Sequence, residues 1–230
     1  MSDPRLQYLI TFLDSDASWF RPVKSLSAFI DSEVPSFSTG KFGSEYHPGN
    51  VGSGARSNTS AIEIPPEGCI EVWMQPIGWS WTNTSSSDSR DRIICHQRTT
   101  NAVPAITVNF DNGTGIIFDL NMGTNRRLTV TNQSVADGEK LHFAVSWKEA
   151  GASGLMKMYF NGSEVGSLTA DLGITGSKQN GLGFGGFAHT TTHGLGGTIG
   201  NGKRWSYFKT DFSDRERPRF GMDDVLIGSR

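Results

Sequence analysis

The chain has 230 residues, which is enough to bury one substantial core. Glycine is abundant at 28 residues, charged residues make up only 19%, and no long helical pattern occurs, so the composition indicates an all-β protein. The net charge of −2 argues against nucleic acid as a partner, because phosphate-binding proteins normally carry a basic excess. No stretch approaches the roughly 18 apolar residues of a membrane span, so we expect no membrane insertion.

The N-terminal residues 6–13 alternate between apolar and polar side chains, with Leu6, Tyr8 and Ile10 on one face, which predicts a strand. The stretch lacks the basic region and the continuous apolar region of a signal peptide. We therefore expect the protein to act inside a cell or to leave it within a virus particle. If the sequence is a mature form whose leader was removed, an extracellular or cell-surface location stays open.

Apolar alternation predicts a series of further short strands. They cover residues 61–64, 69–76, 92–96, 105–110, 115–120 and 127–131, three segments within 141–168, and candidates at 205–208 and 221–228. Hairpin turns are predicted at 111–113 and at Asn161-Gly162, because Asn and Gly tolerate positive φ best. The polar residues 77–91 and the glycine-rich residues 181–202 are predicted to be loops or irregular edge structure, not core strands.

The strand at 69–76 carries the residues with the most distinctive chemistry. Ile70 is expected to face one side of the strand, and Glu71 and Trp73 the other. Glu71 is expected to pair with a cation on a neighbouring strand. Cys69 and Cys95 are expected on neighbouring strands as free, buried thiols, since nothing else indicates an oxidising compartment. A cross-strand disulfide stays the alternative.

Five motifs occur in the order that laminin-G-like domains have. They are the strand at 6–13, the Gly-Lys-Phe-Gly turn at 40–43, the strand around Trp73, the hairpin from Trp147 to Gly162, and the segment Gly221–Gly228. The chain thus resembles laminin-G-like (concanavalin A-like lectin/glucanase) jelly rolls, of the kind found in bacteriophage structural proteins. The resemblance implies an all-β, two-sheet antiparallel β-sandwich that forms a single domain over residues 1–230, with a core over about 6–228.

The polar loop at 77–91 holds candidate glycan-binding residues. Trp79 and Trp81 are expected to expose aromatic faces, which stack on the C–H groups of sugar rings. Asn83 and Arg90 are expected to hydrogen-bond sugar hydroxyls. The alternative is that the tryptophans fold back as loop anchors or pack on a neighbouring subunit.

A second candidate glycan surface lies around the glycine-rich segment, where His189, His193 and Trp205 occur. Glycine lets the main chain approach a ligand closely, and aromatic residues are common at recognition surfaces. A surface loop without ligand is the alternative. The mixed-charge run at 203–219, which includes Lys203 and Lys209, is expected to be solvated surface or to dock on an acidic partner.

Asp223 and Asp224 occupy the position where the jelly rolls that the chain resembles often hold a structural calcium ion. Asp14 and Asp16, near the first strand, are the candidates to complete the site. Calcium takes six to eight oxygen ligands, so main-chain carbonyl groups would have to supply the rest. Solvated or hydrogen-bonded aspartates are the alternative.

Catalysis is not expected from the sequence. Glucanases of this fold carry acidic residues at alternate positions of one strand, and no such run occurs. A polysaccharide lyase needs Tyr, His and Arg or Gln in one place, and the spacing of Tyr159, His142 and His96 does not join them.

The sequence therefore predicts a non-catalytic recognition or structural module. We expect a virion surface protein, such as a capsid decoration or tail-associated protein, that also contacts glycans. Its expected partners are capsid or tail proteins, glycans, and further copies of itself in a homo-oligomer. The alternatives are a secreted or cell-surface lectin and a glycan-cleaving enzyme of the same fold.

Overall fold

The computed structural model describes residues 6–10, 29–30, 36–40, 43–47, 55–57, 62–97, 105–175, 178–179, 182–186 and 194–215, with side chains from residue 64 onward except at 178–179 and 201. These residues form strands, turns and loops. The strands are β1 (Leu6–Ile10), β2 (Phe29–Ile30), β3 (Ser36–Gly40), β4 (Gly43–His47), β5 (Ala55–Ser57), β6 (Ile62–Glu63), β7 (Glu67–Pro76), β8 (Trp81–Thr82), β9 (Ser85–Ser86), β10 (Arg92–Gln97), β11 (Ala105–Asp111), β12 (Gly115–Asn121), β13 (Asn125–Val130), β14 (Ser134–Val135), β15 (Leu141–Lys148), β16 (Leu155–Phe160), β17 (Ser163–Thr169), β18 (Lys178–Gln179), β19 (Leu182–Phe184) and β20 (Gly197–Trp205). Among the described residues no helix could span a membrane.

Two large antiparallel sheets form the sandwich. The eight-stranded sheet has the order β17-β16-β15-β7-β20-β4-β3, and β1 also pairs with β20. The seven-stranded sheet has the order β13-β12-β11-β10-β19-β5-β2. Small pairings add β14-β8-β9 and β18-β6. The predicted all-β, two-sheet antiparallel sandwich is confirmed.

The main core lies between the two sheets. Ile70 and Val72 of β7 and Phe143 of β15 pack in one apolar cluster with Val108 of β11 and Phe118 of β12. Each is 0–1% exposed, and full burial of such a side chain contributes about 1.5–3 kcal/mol. The predicted orientation of Ile70 is confirmed, because side chains alternate along β7 and Glu71 lies outside this cluster.

The predicted hairpin turn at Asn161-Gly162 is confirmed. Asn161 has a φ of 49° and Gly162 a φ of 85°, and the two residues join β16 to β17. At the turn after β11, Gly113 has a φ of 92°. These turns require the left-handed conformation that Asn and Gly adopt at the least cost.

The glycine-rich segment differs from its prediction. Residues 197–205 form β20, which lies inside the eight-stranded sheet between β7 and β4, and residues 182–184 form β19, which lies inside the seven-stranded sheet between β10 and β5. The prediction of loops or edge structure was wrong at both places. A Cβ atom on Gly197 would lie only 2.1 Å from the main-chain oxygen of Gln75. Glycine is therefore what lets β20 approach β7 this closely. The candidate strand at 205–208 was wrong, because β20 ends at Trp205 and residues 206–208 are in no strand. The candidate strand at 221–228 lies outside the described residues.

The two cysteines lie in different sheets. Cys69 is on β7 and Cys95 on β10, so the expectation of neighbouring strands was wrong. Both thiols are free and buried, as predicted. Cys95 packs in the core between the sheets, whereas Cys69 belongs to a second cluster on the opposite face of the eight-stranded sheet.

Candidate functional site

The face of the eight-stranded sheet that points away from the core, here called the outer face, carries a row of buried polar side chains. Strand register aligns Glu71 of β7 with Lys203 of β20 on one side and with Ala144 of β15 on the other. Ala144 in turn pairs with Tyr159 of β16. His142 lies in the adjacent row, opposite Trp73. Alternation along four strands therefore brings together residues that are up to 132 positions apart (71 to 203).

Glu71 is the centre of a hydrogen-bonded ion cluster. Lys209 Nζ donates to both of its carboxylate oxygens at 3.2 and 3.1 Å, and Lys203 Nζ lies 3.3 Å from Oε1. Trp205 Nε1 donates to Oε1 at 2.9 Å, and His142 Nε2 lies 3.2 Å from Oε2. Glu71 is 1% exposed, so its charge is compensated by protein groups rather than by water.

Protonation states follow from this cluster. Burial alone would raise the pKa of Glu71, but the hydrogen bond from His142 and the charges of Lys203 and Lys209 outweigh burial and hold that pKa well below its usual value. Burial lowers the pKa of His142 by more than Glu71 raises it, so the imidazole is neutral near pH 7. Because a carboxylate only accepts, the single N–H of His142 is at Nε2. Nδ1 has no hydrogen-bond partner within the described part of the chain.

Residues 206–215, here called the cover segment, close the outer face. The Phe212 ring packs on Tyr159 and His142, with ring centroids 4.7 and 5.4 Å apart. Ser146 Oγ donates to the Lys209 carbonyl oxygen, and Trp73 Nε1 donates to a cover-segment carbonyl at 3.3 Å. Burial raises the pKa of Tyr159, whose hydroxyl has no hydrogen-bond partner among the described residues. The outer face is thus a second core, sealed by the chain itself.

The cover segment also lines a cavity of about 380 Å³ that is open to solvent. The cavity is lined by Tyr207, Phe208, Lys209, Thr210, Asp211, Ser213 and Asp214. Asp211 Oδ1 accepts a hydrogen bond from the Ser213 main-chain nitrogen at 2.8 Å, and the main-chain and hydroxyl groups of Ser213 hold the pKa of Asp211 below its usual value. Asp214 Oδ1 accepts from Lys209 Nζ at 3.1 Å, so Lys209 joins the cavity wall to Glu71.

A family model described as the concanavalin A-like lectin/glucanases superfamily matches residues 56–210, which is more than half of the chain. The chain belongs to this superfamily. The matched region contains β7, β15, β16 and β20, the strands that carry the outer-face cluster. A comparison with curated proteins gives no significant match.

Solved structures of the superfamily fold are similar to this chain at low identity. Domain 4 of AbnA, a GH43 extracellular arabinanase from Geobacillus stearothermophilus, in complex with arabinotriose, has a TM-score of 0.63 at 14% identity, covering 89% of this chain and 93% of that chain. The Ruminococcus gnavus IT-sialidase CBM40 bound to α2,3 sialyllactose has a TM-score of 0.53 at 14% identity, covering 73% and 91%. The botulinum neurotoxin type G receptor binding domain has a TM-score of 0.59 at 11% identity, covering 93% and 51%. At these identities the likeness establishes the fold.

Trp79 and Trp81 do not form the exposed aromatic platform that the sequence predicts. Each is 1% exposed, and both rings pack on Phe110 in the core. Their indole nitrogens donate to main-chain oxygens, Trp79 to Gly196 at 2.6 Å and Trp81 to Asn83 at 2.9 Å. Trp79 and Trp81 therefore anchor the loop, as the alternative prediction had it. Asn83 is exposed, and its glycan role stays a prediction.

Trp205 is likewise buried, at 0% exposure, under the cation of Lys209, so it offers no surface for the glycan contact that the sequence predicts. Lys203 and Lys209 are 2% and 3% exposed, so the expectation of solvated surface was wrong for these two residues, while Asp211 of the same run is exposed. Arg90 is exposed, and its glycan role stays a prediction. The predicted site residues His189, His193, Asp14, Asp16, Asp223 and Asp224 lie outside the described residues. Within the described part of the chain, no group of three His, Cys, Asp or Glu could hold a metal ion.

The meeting of His142, Tyr159 and Glu71 on one face of the sheet was not predicted from the sequence. The paired strands β15 and β16 place His142 and Tyr159 on the face opposite Phe143 and Phe160, the same face as Glu71. The Asn161-Gly162 turn and the alternation of β15 contained that signal. The expectation that Glu71 pairs with a cross-strand cation is confirmed by Lys203.

Proposed function

We propose that this domain is a non-catalytic recognition module that binds glycans. The observation that carries the proposal is the state of Glu71, which is ionised, buried and bonded to Lys203 and Lys209 beneath the cover segment. The outer face of the sheet therefore acts as a scaffold, and the surface of the cover segment is left for ligand contact.

Glycoside hydrolysis does not suit this arrangement. It requires a carboxylic acid with a raised pKa beside a second carboxyl group, both open to the sugar. Glu71 and Asp214 are close to each other, since both contact Lys209 Nζ at 3.1 Å. Burial would raise the pKa of Glu71, but the His142 hydrogen bond and the two lysine charges outweigh it, so this carboxyl group is ionised and is no proton donor.

Elimination from a uronate does not suit it either, although Tyr159 and His142 meet on one face. A tyrosine base must lose its proton, and burial of Tyr159 raises its pKa. Phe212 covers both rings, and the two side chains are 2% and 1% exposed. A sugar cannot reach either group while the cover segment holds this position.

Glycan is the ligand class favoured by two structural relatives. The arabinanase domain and the sialidase CBM40 were each solved with a bound oligosaccharide. Their low identity limits this support to the class of ligand. The proposal for this chain therefore names glycans and leaves the sugar to experiment.

The test is a glycan array probed with the purified chain, combined with incubation of the chain with a polysaccharide panel. We expect binding to at least one glycan group, with no release of reducing ends and no unsaturated uronate product. Heat-denatured chain is the matched control for nonspecific adsorption. Specific cleavage of any polysaccharide, or an array without any signal above the denatured control, contradicts the proposal.

The location is a separate part of the proposal. We propose a virion surface, as a capsid decoration or tail-associated homo-oligomer, because the opening strand and the Gly-Lys-Phe-Gly turn resemble bacteriophage structural modules. Neighbouring genes that encode capsid or tail proteins, and the chain's presence in purified particles, are the expected findings. Neighbours that belong to cell-surface or secretion systems favour the alternative of a secreted or cell-surface lectin.

A further inference from the structure

We infer, on the basis of the proposed glycan-binding function, that the cavity in the cover segment is the glycan site and that it selects sugars without negative charge. The described residues that line the cavity belong to one stretch of chain, from Tyr207 to Asp214. The residues predicted from sequence to bind glycan are not among the described residues that line this cavity. One of them, Trp205, contacts the lining residue Tyr207, with ring centroids 5.7 Å apart.

The cavity is held in shape by buried contacts below it. Lys209 is fixed through its ammonium to Glu71 and through its carbonyl to Ser146, and Phe212 is fixed between Tyr159 and His142. Thr210, Asp211 and Ser213, next to these anchors, are exposed. A loop held in this way loses little conformational entropy when a ligand binds, which favours affinity.

The lining has the chemistry that sugars require. Tyr207 and Phe208 are partly exposed and offer aromatic faces for sugar C–H groups. Thr210 and Ser213 are exposed hydroxyl residues, and Asp211 is an exposed carboxylate that can accept from sugar hydroxyls. The volume of about 380 Å³ is near the lower end of the ~300–1,000 Å³ of ligand pockets, which suits a mono- or disaccharide unit.

The charge of the lining decides the class of sugar. Among the described residues that line the cavity, Asp211 and Asp214 carry carboxylates and Lys209 is the one cation. The Lys209 side chain is 3% exposed, and its ammonium group is already bonded to Glu71 and Asp214. A uronate or sialate would bring a third carboxylate to this wall, where the one cation of the described lining is already bonded to two carboxylates, and like charges at close range reject a ligand. Neutral sugars and sugars with a free amine meet no such repulsion.

Two substitutions and one matched control test the site. Phe208→Ala removes an aromatic face, and Asp211→Asn removes a charge while its side-chain oxygen still accepts from the Ser213 nitrogen. Asp171→Asn is the control, because Asp171 is exposed and accepts from the Gly173 nitrogen in the same kind of turn, outside the cavity. Circular dichroism and urea unfolding of all three variants verify that the fold is kept.

The probes are trimers of N-acetylglucosamine, glucosamine and galacturonate, together with the array sugars that bind the parent chain. We expect binding to neutral or amine-bearing sugars, weakened about tenfold by Phe208→Ala. Asp211→Asn is expected to weaken the amine-bearing sugars by about three- to tenfold and to raise uronate binding, while Asp171→Asn changes neither. Glycan binding that prefers anionic sugars, or that neither cavity variant alters, overturns this inference and leaves the proposed function standing. A chain that binds no glycan overturns both.

Discussion

The two faces of the eight-stranded sheet are equally buried but are stabilised by different interactions. The inner face carries Ile70 and Val72, which pack in a large apolar cluster together with side chains of the opposite sheet. The outer face carries Glu71 and Trp73 from the same strand and packs on the cover segment through ion pairs, hydrogen bonds and aromatic rings. One strand thus serves two cores with a single alternating pattern.

The difference teaches what each core specifies. Apolar packing tolerates many arrangements of similar volume, so the inner face mainly supplies stability. A buried carboxylate tolerates very few, because each unpaired charge in the interior is costly. Glu71 therefore fixes where Lys209 must lie, and with it the position of the cover segment and the cavity above. We infer that the outer-face cluster contributes positional specificity more than net stability.

The largest expected effect follows from removing the central charge. Glu71→Gln leaves Lys203 and Lys209 without their carboxylate in a buried site, which is expected to lower the free energy of unfolding by about 3–5 kcal/mol. Glu164→Gln is the matched control, since Glu164 also pairs with a lysine, Lys157, but is 40% exposed. The control is expected to cost about 1 kcal/mol or less. Urea unfolding measures both, and equal losses would contradict the role of the buried cluster.

Phe212→Ala is expected to separate the two cores. It removes the ring that covers Tyr159 and His142, so we expect the cover segment to open while the sheets stay folded. Hydrogen exchange is expected to accelerate at residues 206–215 and to stay unchanged in β11 and β12. Phe143→Ala, on the inner face, is the comparison and is expected to destabilise the whole domain by about 3–5 kcal/mol. Faster exchange throughout both sheets in Phe212→Ala would show that the cover segment is no independent unit.

The two cysteines allow the faces to be compared by a substitution that replaces one sulfur atom with oxygen. Cys69 lies on the outer face, where Ser146 already offers a hydroxyl partner, and Cys95 lies in the apolar core. Cys69→Ser is expected to cost less than about 1 kcal/mol, because the new hydroxyl can pair. Cys95→Ser is expected to cost about 1–3 kcal/mol, because its hydroxyl is buried among apolar side chains. Urea unfolding of both variants checks the order, and a reversed order would contradict it.

Short-range pattern predicted much of the scaffold. Alternation assigned Ile70 and Glu71 to opposite faces, and the Asn161-Gly162 turn set the hairpin of β16 and β17, because both signals lie within a few residues of chain. The short-range pattern gave wrong predictions for Trp79 and β20. Trp79 is buried through Phe110 and the Gly196 carbonyl, and β20 is a strand because Gly197 fits against Gln75. These contacts depend on distant residues that local composition does not report.

The candidate site shows the same limit. Glu71 was expected to meet a cross-strand cation, and Lys203 is that cation. The second lysine, Lys209, reaches Glu71 from a segment without regular structure, so no sequence periodicity predicts this contact. By its composition, a mixed-charge run that contains an aromatic residue such as Phe212 is predicted to be solvated. It covers the outer face here because, within the described part of the chain, the side chains of β7 and β15 on that face have no other element packed on them.

The smallest expected effect is a dependence of stability on pH that the outer face has and the inner face lacks. His142 faces Glu71, Lys203 and Lys209, and its folded-state pKa is below its usual value of about 6.5, chiefly through burial. The unfolded chain therefore binds a proton that the folded chain does not, and stability falls as the pH drops from about 6.5 through the folded-state pKa, by at most ~1.4 kcal/mol per pH unit. The lowered pKa of Glu71 adds a second loss of stability only below the usual glutamate pKa of about 4.3.

Urea unfolding at several pH values between 7.5 and 5 is expected to show this dependence of stability on pH in the parent and a smaller one in His142→Gln, which keeps the chain's other four histidines. An equal slope in parent and variant would assign the proton to another group and remove the outer face from the explanation.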